Sequence, residues 1–249
     1  MAYGQKRRAW AGEIAVLTEK TGKNLGSTAS LTFLIVVSVV GLALIPVMVS
    51  QTNPTRVQVS IRHGLVGTLY IAICVLGVSA VFYPAKCKSI FGKSQNPLLQ
   101  TSNLSVQIRG HHPDCQNYSA NRIKVGKRVI CAACSGLLIG GATVFIGAIL
   151  HFFAGLNIIW SSFWLLVLGE TLMLLGLAQI KFAGYVKMLV NVIFVVGSFV
   201  TLVETDLLGR SILVDLYMLG VIVYMLWFRI LLSEWNNGRI CQRCQLCFQ

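Results

Sequence analysis

The sequence predicts an all-α, polytopic transmembrane helix bundle of about six spans, with a small Cys/His metal-knuckle loop, and three observations predict it. Of 249 residues, 55% are hydrophobic and 12% charged, about half the charged share of an ordinary soluble domain. Mean hydropathy is +0.73. The apolar residues gather into six runs, roughly 28–49, 64–83, 133–153, 158–180, 187–203 and 211–232. Each approaches the ~20 residues needed to cross ~30 Å of hydrocarbon. Lipid supplies no hydrogen-bond partner for the backbone, so such runs are helices rather than strands.

Residues 1–26 form a basic leader containing Lys6, Arg7, Arg8, Lys20 and Lys23. Trp10, Ile14 and Leu17 share one helical face there. That pattern fits a helix lying at head-group level, and equally a solvated leader. The first apolar run begins near Leu31, too far along for a signal-peptide core, and reads as a retained helix. Residues 27–83 then hold spans one and two, 84–132 a long loop, 133–232 spans three to six, and 233–249 a Cys-rich tail. The fourth run carries Glu170 and the fifth is short, so a five-span arrangement is the main competitor.

The net charge is +13, and its placement decides what it means. A nucleic-acid partner requires a basic folded face, and no soluble segment here is large enough to offer one. The expected surroundings are the lipid bilayer, with a membrane-protein partner or a second copy of the chain as further candidates. With six spans, the leader, the loop, Lys181, Lys187 and the tail share one side, and the other side holds only Arg56, Arg62 and Arg210. The loop contributes Lys86, Lys88, Lys93, Arg109, Arg122, Lys124, Lys127 and Arg128. This asymmetry predicts a multi-pass cell-membrane protein with both termini in the cytoplasm.

The loop carries the most informative chemistry. It reads Gly110-His111-His112-Pro113-Asp114-Cys115 and later Cys131-Ala132-Ala133-Cys134-Ser135-Gly136. Two close ligand pairs with a fifteen-residue excursion between them match the spacing of zinc knuckles and ribbons. Each pair sets two ligands on a tight turn, and the excursion folds back to complete a tetrahedron. Gly126, beside Lys124, Lys127 and Arg128, suits the turn of a small hairpin. A reducing cytosol favours metal or redox chemistry for such thiols over structural disulfides. The expected zinc ligands are His112, Cys115, Cys131 and Cys134, with His111 as alternate and Asp114 orienting a ligand. Iron or another soft metal is the lesser alternative. A Cys131/Cys134 redox pair at a helix N-terminus is another, and unliganded thiols a third.

The stretch His111 to Gly140, through Cys131-Ala-Ala-Cys134-Ser-Gly136, resembles the signature of a prokaryotic family of multi-pass membrane proteins of unknown function. Members carry a Cys/His segment and then a C-x-x-C-[ST]-G motif running into a helix. Ala133 and Ser135 replace that family's arginine and threonine, and the first half begins His-His rather than Cys-His. The resemblance spans about thirty residues and implies a multi-pass fold without an activity.

Elsewhere, Cys241, Cys244 and Cys247 form a C-x2-C-x2-C run that needs a fourth ligand, such as Cys87 or one from a partner chain, to make a second metal site. Lipidation and an inert tail are the other readings. Cys74 reads as packing, Asn191 as interhelical glue and Gly136-x3-Gly140 as a close helix contact. Glu170, near the middle of the fourth run, suits an ion or proton role, or a protonated carboxyl bonded to a neighbouring helix. His63, His151, Glu204, Asp206 and Asp215 fall at one membrane level and read as ordinary polar helix ends rather than a vestibule.

The functional expectation is a non-catalytic accessory or scaffold subunit with a zinc-folded cytoplasmic loop. A small transporter using Glu170 and a thiol oxidoreductase using Cys131/Cys134 are its rivals. No Ser/His/Asp triad, phosphate-binding glycine loop or H-E-x-x-H motif is evident. The orientation has a direct test. Asn103-Leu-Ser105 and Asn117-Tyr-Ser119 are glycosylation sequons, and a cytosolic loop leaves both unmodified in a eukaryotic host. A glycan on either, seen as an endoglycosidase-sensitive mobility shift, reverses the assignment.

Overall fold

The computed structural model describes residues 28–51, 59–82, 108–109, 112–113, 116–125, 128–156 and 161–242. The described chain is mostly helical. Its long helices are α1 (Thr28–Gln51), α2 (Val59–Phe82), α3 (Ala132–Ala148), α4 (Phe163–Leu177), α5 (Gly184–Gly209) and α6 (Ile212–Gln242). Six helical segments are long and apolar enough to cross a membrane. Two short antiparallel hairpins precede α3. One pairs β1 (Ile108–Arg109) with β2 (His112–Pro113), and the other pairs β3 (Arg122–Val125) with β4 (Arg128–Cys131).

The chain clusters into two units, Met1–Gly41 and Leu42–Gln249. In the first, the described residues are the opening turns of α1, where the Ser38 hydroxyl donates back to the Leu34 carbonyl, 2.8 Å away. In the second, the end of α1 supplies Leu42 and Ile45 to a core completed by Tyr70, Val144, Leu166, Phe194, Leu202 and Ile222.

Helix α5 is the axis of this unit. Of an 18-residue apolar stretch of its span, 61% is buried, against 28–44% for the corresponding stretches of α2, α3, α4 and α6. The apolar run in the sequence stops at 203 because Glu204 and Asp206 follow, yet the helix continues to Gly209. Burial explains why. Those carboxylates find partners inside the bundle, so they need not end the helix. The five-span alternative thus gives way to six helices of spanning length.

Helices α3 and α4 both pack on α5, and glycine brings the backbones together. A Cβ at Gly136 would overlap the Met188 carbonyl, and one at Gly140 would lie 3.0 Å from Val195. The expected small-x3-small contact of α3 is therefore present, with α5 as its partner. On the outside, Leu76, Trp164 and Leu213 are exposed, as lipid-facing side chains of a spanning helix would be.

The β3–β4 hairpin pairs Val125 with Arg128 and Arg122 with Cys131. The strands bracket positions 126–127, where Gly126 was expected to turn the chain, although Gly126 itself lies outside the described residues. β4 runs directly into α3. Two hydrogen bonds fasten this segment to the start of α5: Lys187 Nζ donates to Asn121 Oδ1 at 2.6 Å, and the Tyr185 hydroxyl donates to the Lys124 carbonyl at 3.0 Å.

Substituting Gly136 by Ala is expected to cost about 1–3 kcal/mol, because the methyl group meets a backbone carbonyl. Gly220→Ala, where nothing lies within 4 Å, should be neutral or stabilising. Thermal unfolding of the two detergent-solubilised variants checks the contrast, and equal midpoints would contradict the packing.

Candidate functional site

Two polar clusters stand at opposite ends of the α3–α5–α6 bundle. Lys187 and Asp206 mark them on α5, nineteen residues apart, or about 28 Å along a helix axis.

The first lies where β4 enters α3. Cys131 is the last residue of β4 and caps α3, and Cys134 sits in its first turn. Both are thiols, Cys131 buried and Cys134 partly so, and they hydrogen-bond each other. Two buried cations face them across the helix contacts. Lys187 interacts electrostatically with Cys131, and Arg229 with both cysteines. Arg229 Nη2 donates to Gln179 Oε1 at 3.0 Å, and its guanidinium lies over the Phe194 ring, 5.4 Å from the centroid. Among the described residues neither cation has a carboxylate partner. The sequence reading used Lys187, at the start of the fifth run, only as a marker of topology. It lies in the first turn of α5, where it is buried and donates to Asn121. Arg229 went unnoticed within an apolar run, and a cation at that depth was the available signal.

The other expected ligands are only partly visible. His112 lies in β2, with its side chain outside the described residues; His111, Asp114 and Cys115 lie outside them altogether. Cys241 falls in the last turn of α6, its side chain not described, and Cys87, Cys244 and Cys247 lie outside. Among the described residues no three His, Cys, Asp or Glu side chains are grouped to hold a metal ion.

The second cluster gathers the groups that read as separate polar helix ends, and here the structure overturns that reading. Arg210, in the left-handed region at φ +46°, caps α5 and turns the chain within two residues into α6. The last turn of α5 and the first of α6 thereby meet, with Asp206 and Asp215 at one level. Arg62 of α2 lies 2.8 Å from Asp206 Oδ1 and 3.6 Å from Asp215 Oδ2, and donates to the Asp206 carbonyl at 3.1 Å. The Nε2 atoms of His63 and His151 approach Asp206 Oδ2 to 3.1 and 3.2 Å. A π-type turn, Ile149–Phe153, closes α3 and carries His151 there; such turns often mark functional positions. Nearby, Glu204 Oε2 accepts the Ser162 amide hydrogen at 2.9 Å.

Burial makes this cluster unusual. Glu204, Asp206 and Asp215 are 0% exposed, His151 2% and Arg62 5%. Only His63 reaches the surface, with 23% of its side chain exposed. Several polar atoms nonetheless lack a hydrogen-bond partner among the described residues: His151 Nδ1, Glu204 Oε1 and both Asp215 oxygens. Arg62 was expected to mark topology only, whereas it is the permanent cation that holds these carboxylates together.

Between the clusters, Glu170 of α4 is buried and its Oε1 lacks a hydrogen-bond partner. Asn191 was expected to bond across helices; its amide donates instead to the Lys187 carbonyl of its own helix. Cys74 packs in the core as expected.

Breaking a buried ion pair from one side strands a charge and costs about 3–5 kcal/mol. Arg62→Met and Asp206→Asn should each lower stability by that order, while the double variant loses less than their sum. A thermal-unfolding double-mutant cycle measures the coupling, and strict additivity would dissolve the network.

Comparison of the chain with protein-family models, with curated proteins and with solved structures found no match.

Proposed function

We propose that the chain is a multi-pass membrane protein, with both termini in the cytoplasm, whose Cys131/Cys134 turn is one half of a zinc–thiolate centre. This centre orders the cytoplasmic loop so that it can dock a membrane-protein partner, in an accessory or scaffold role rather than a catalytic one.

One observation carries the proposal. Two adjacent thiols at a helix start share their surroundings with two buried cations, Lys187 and Arg229, that have no carboxylate partner among the described residues. Buried cations are retained where they neutralise something. A centre of three thiolates and one imidazole around Zn²⁺ carries a net charge of −1, which these cations would offset.

Topology supports the same reading. Each ligand pair follows the same local device. His112 lies on the return strand of the β1–β2 hairpin, three residues before Cys115, and Cys131 ends the return strand of β3–β4. Within the excursion, the β3–β4 hairpin sets Arg122 opposite Cys131. In the proposed centre, His112 and Cys115 complete the tetrahedron, with His111 as the alternate ligand. Metal binding would supply the order that a short loop cannot draw from a hydrophobic core. Cys241, Cys244 and Cys247 remain candidates for a second metal site on the same side of the membrane.

A second reading rests on the hydrogen bond between the two thiols. It makes Cys131/Cys134 a dithiol that cycles with a disulfide, so that the chain is a membrane thiol oxidoreductase.

Elemental analysis of the purified protein separates the two. About one zinc per chain, lost in the Cys131→Ser/Cys134→Ser variant, is the expected result. Metal-free protein whose Cys131–Cys134 disulfide forms and reopens with thiol reagents would replace the zinc reading by the redox one.

A further inference from the structure

We propose that the buried cluster around Asp206 is a proton-uptake site, with His63 as its mouth, and that it delivers protons along the α4–α5 contact to Glu170. This assignment is independent of the zinc centre and concerns the other end of the bundle.

The charges make the first argument. The groups that meet there are Arg62 and His63 from α2, His151 from the end of α3, Glu204 and Asp206 from α5, and Asp215 from α6. Among the described residues, three fully buried carboxyl groups gather here with one permanent cation, Arg62, which pairs with Asp206 and Asp215. With all three ionised and both imidazoles neutral, the cluster would hold a net charge of −2 away from water. Two protons, shared among the rings and carboxyls, balance it. The cluster is therefore built to hold exchangeable protons.

The geometry makes the second. Two imidazole Nε2 atoms converge on one carboxylate oxygen at 3.1 and 3.2 Å, which is proton-transfer distance. One ring, His63, is partly exposed, while the other, His151, is buried with its Nδ1 unpartnered. A proton taken from water at His63 Nδ1 allows the Nε2–H bond to break as an O–H bond forms on Asp206 Oδ2. Asp206 then protonates His151 Nε2, and His151 releases the proton on its Nδ1. One proton enters and one leaves. Asp206 returns to the carboxylate that Arg62 holds, and each ring resets by exchanging its nitrogen-bound proton. Arg62 stays charged throughout and acts as a positioning residue.

The path inward follows α5. Glu204 interacts electrostatically with His151 and has one unpartnered oxygen, which makes it the next acceptor. Its other oxygen is bonded to Ser162, at the start of α4. Glu170 lies eight residues further along that helix, about 12 Å inward. Between them sits Thr201, whose hydroxyl would meet any Cβ at neighbouring Gly169. Transfer over this interval requires hydrogen-bonded water. Glu170 is buried in the middle of its span with an unpartnered Oε1, a placement that a passive helix contact does not require.

Proton flux into proteoliposomes that enclose a pH-sensitive dye, driven by a valinomycin-clamped potassium potential, tests the proposal on the full chain. The wild type should conduct above protein-free vesicles, and Glu170→Gln and His151→Gln should each reduce the flux at least tenfold. His63→Gln, at the exposed mouth and least disruptive of folding, should lose flux to a similar degree and regain it with external imidazole. That rescue is one that a structural role would not show. No flux above protein-free vesicles under either polarity overturns the proposal. So does undiminished flux in the Glu170 and His151 variants, or a folded His63→Gln protein that imidazole does not restore.

Discussion

The arrangement of the bundle depends on the ion pair between Arg62 and Asp206. A carboxylate with no solvent exposure is stable only where donors replace the water it has lost. Asp206 obtains them from two helices other than its neighbour α6: the guanidinium and one imidazole from α2, and the second imidazole from the end of α3. Arg62 in turn reaches Asp215 on α6. A single buried charge thus fixes the ends of α2, α3, α5 and α6 at one level. The close turn at Arg210 and the π-type turn at Ile149–Phe153 are the backbone devices that make those ends meet.

The two ends of the bundle are unbalanced in opposite senses. Around Asp206 carboxyl groups exceed permanent cations; around Cys131 two cations stand among thiols without a carboxylate. Helix dipoles do not account for this pattern along α5, whose positive N-terminus carries Lys187 and whose negative C-terminus carries Glu204 and Asp206. The arrangement opposes what would best stabilise that helix. Under the two proposals made above, each excess is the complement of something exchangeable, protons at one end and thiolates with a metal at the other. Glycine-mediated contact of α3 and α4 with α5 keeps the helices that carry both groups in fixed register.

Much of the fold was legible because lipid imposes a length rule. Runs of apolar residues near 20 long declare helices whatever packs around them, and the six expected runs correspond to α1–α6 within a few residues at most ends. The misreadings share one cause. Hydropathy treats Glu204, Asp206 and Lys187 as interruptions or flanks and averages Arg229 away inside an apolar run, whereas burial with a partner makes each part of a packed helix. For the same reason the fifth run read as short and weak although α5 is the most buried span. Arg62 read as a marker of sidedness because a count of loop charges cannot see that a guanidinium is bonded.

The amino-acid order alone determined the spanning helices, the small-x3-small face of α3, the hairpin that returns the chain to Cys131, and the thiol pair at a helix start. These depend on local spacing and on the energetics of backbone in lipid, which operate over a few turns of chain. Tertiary structure alone decided that His63, His151, Asp206 and Asp215, drawn from four helices and separated by up to 152 residues, share one buried site with Arg62. It also decided that Lys187 and Arg229 converge on the thiols. Charges so distant in sequence meet only through the packing of whole helices, and no local pattern encodes that convergence.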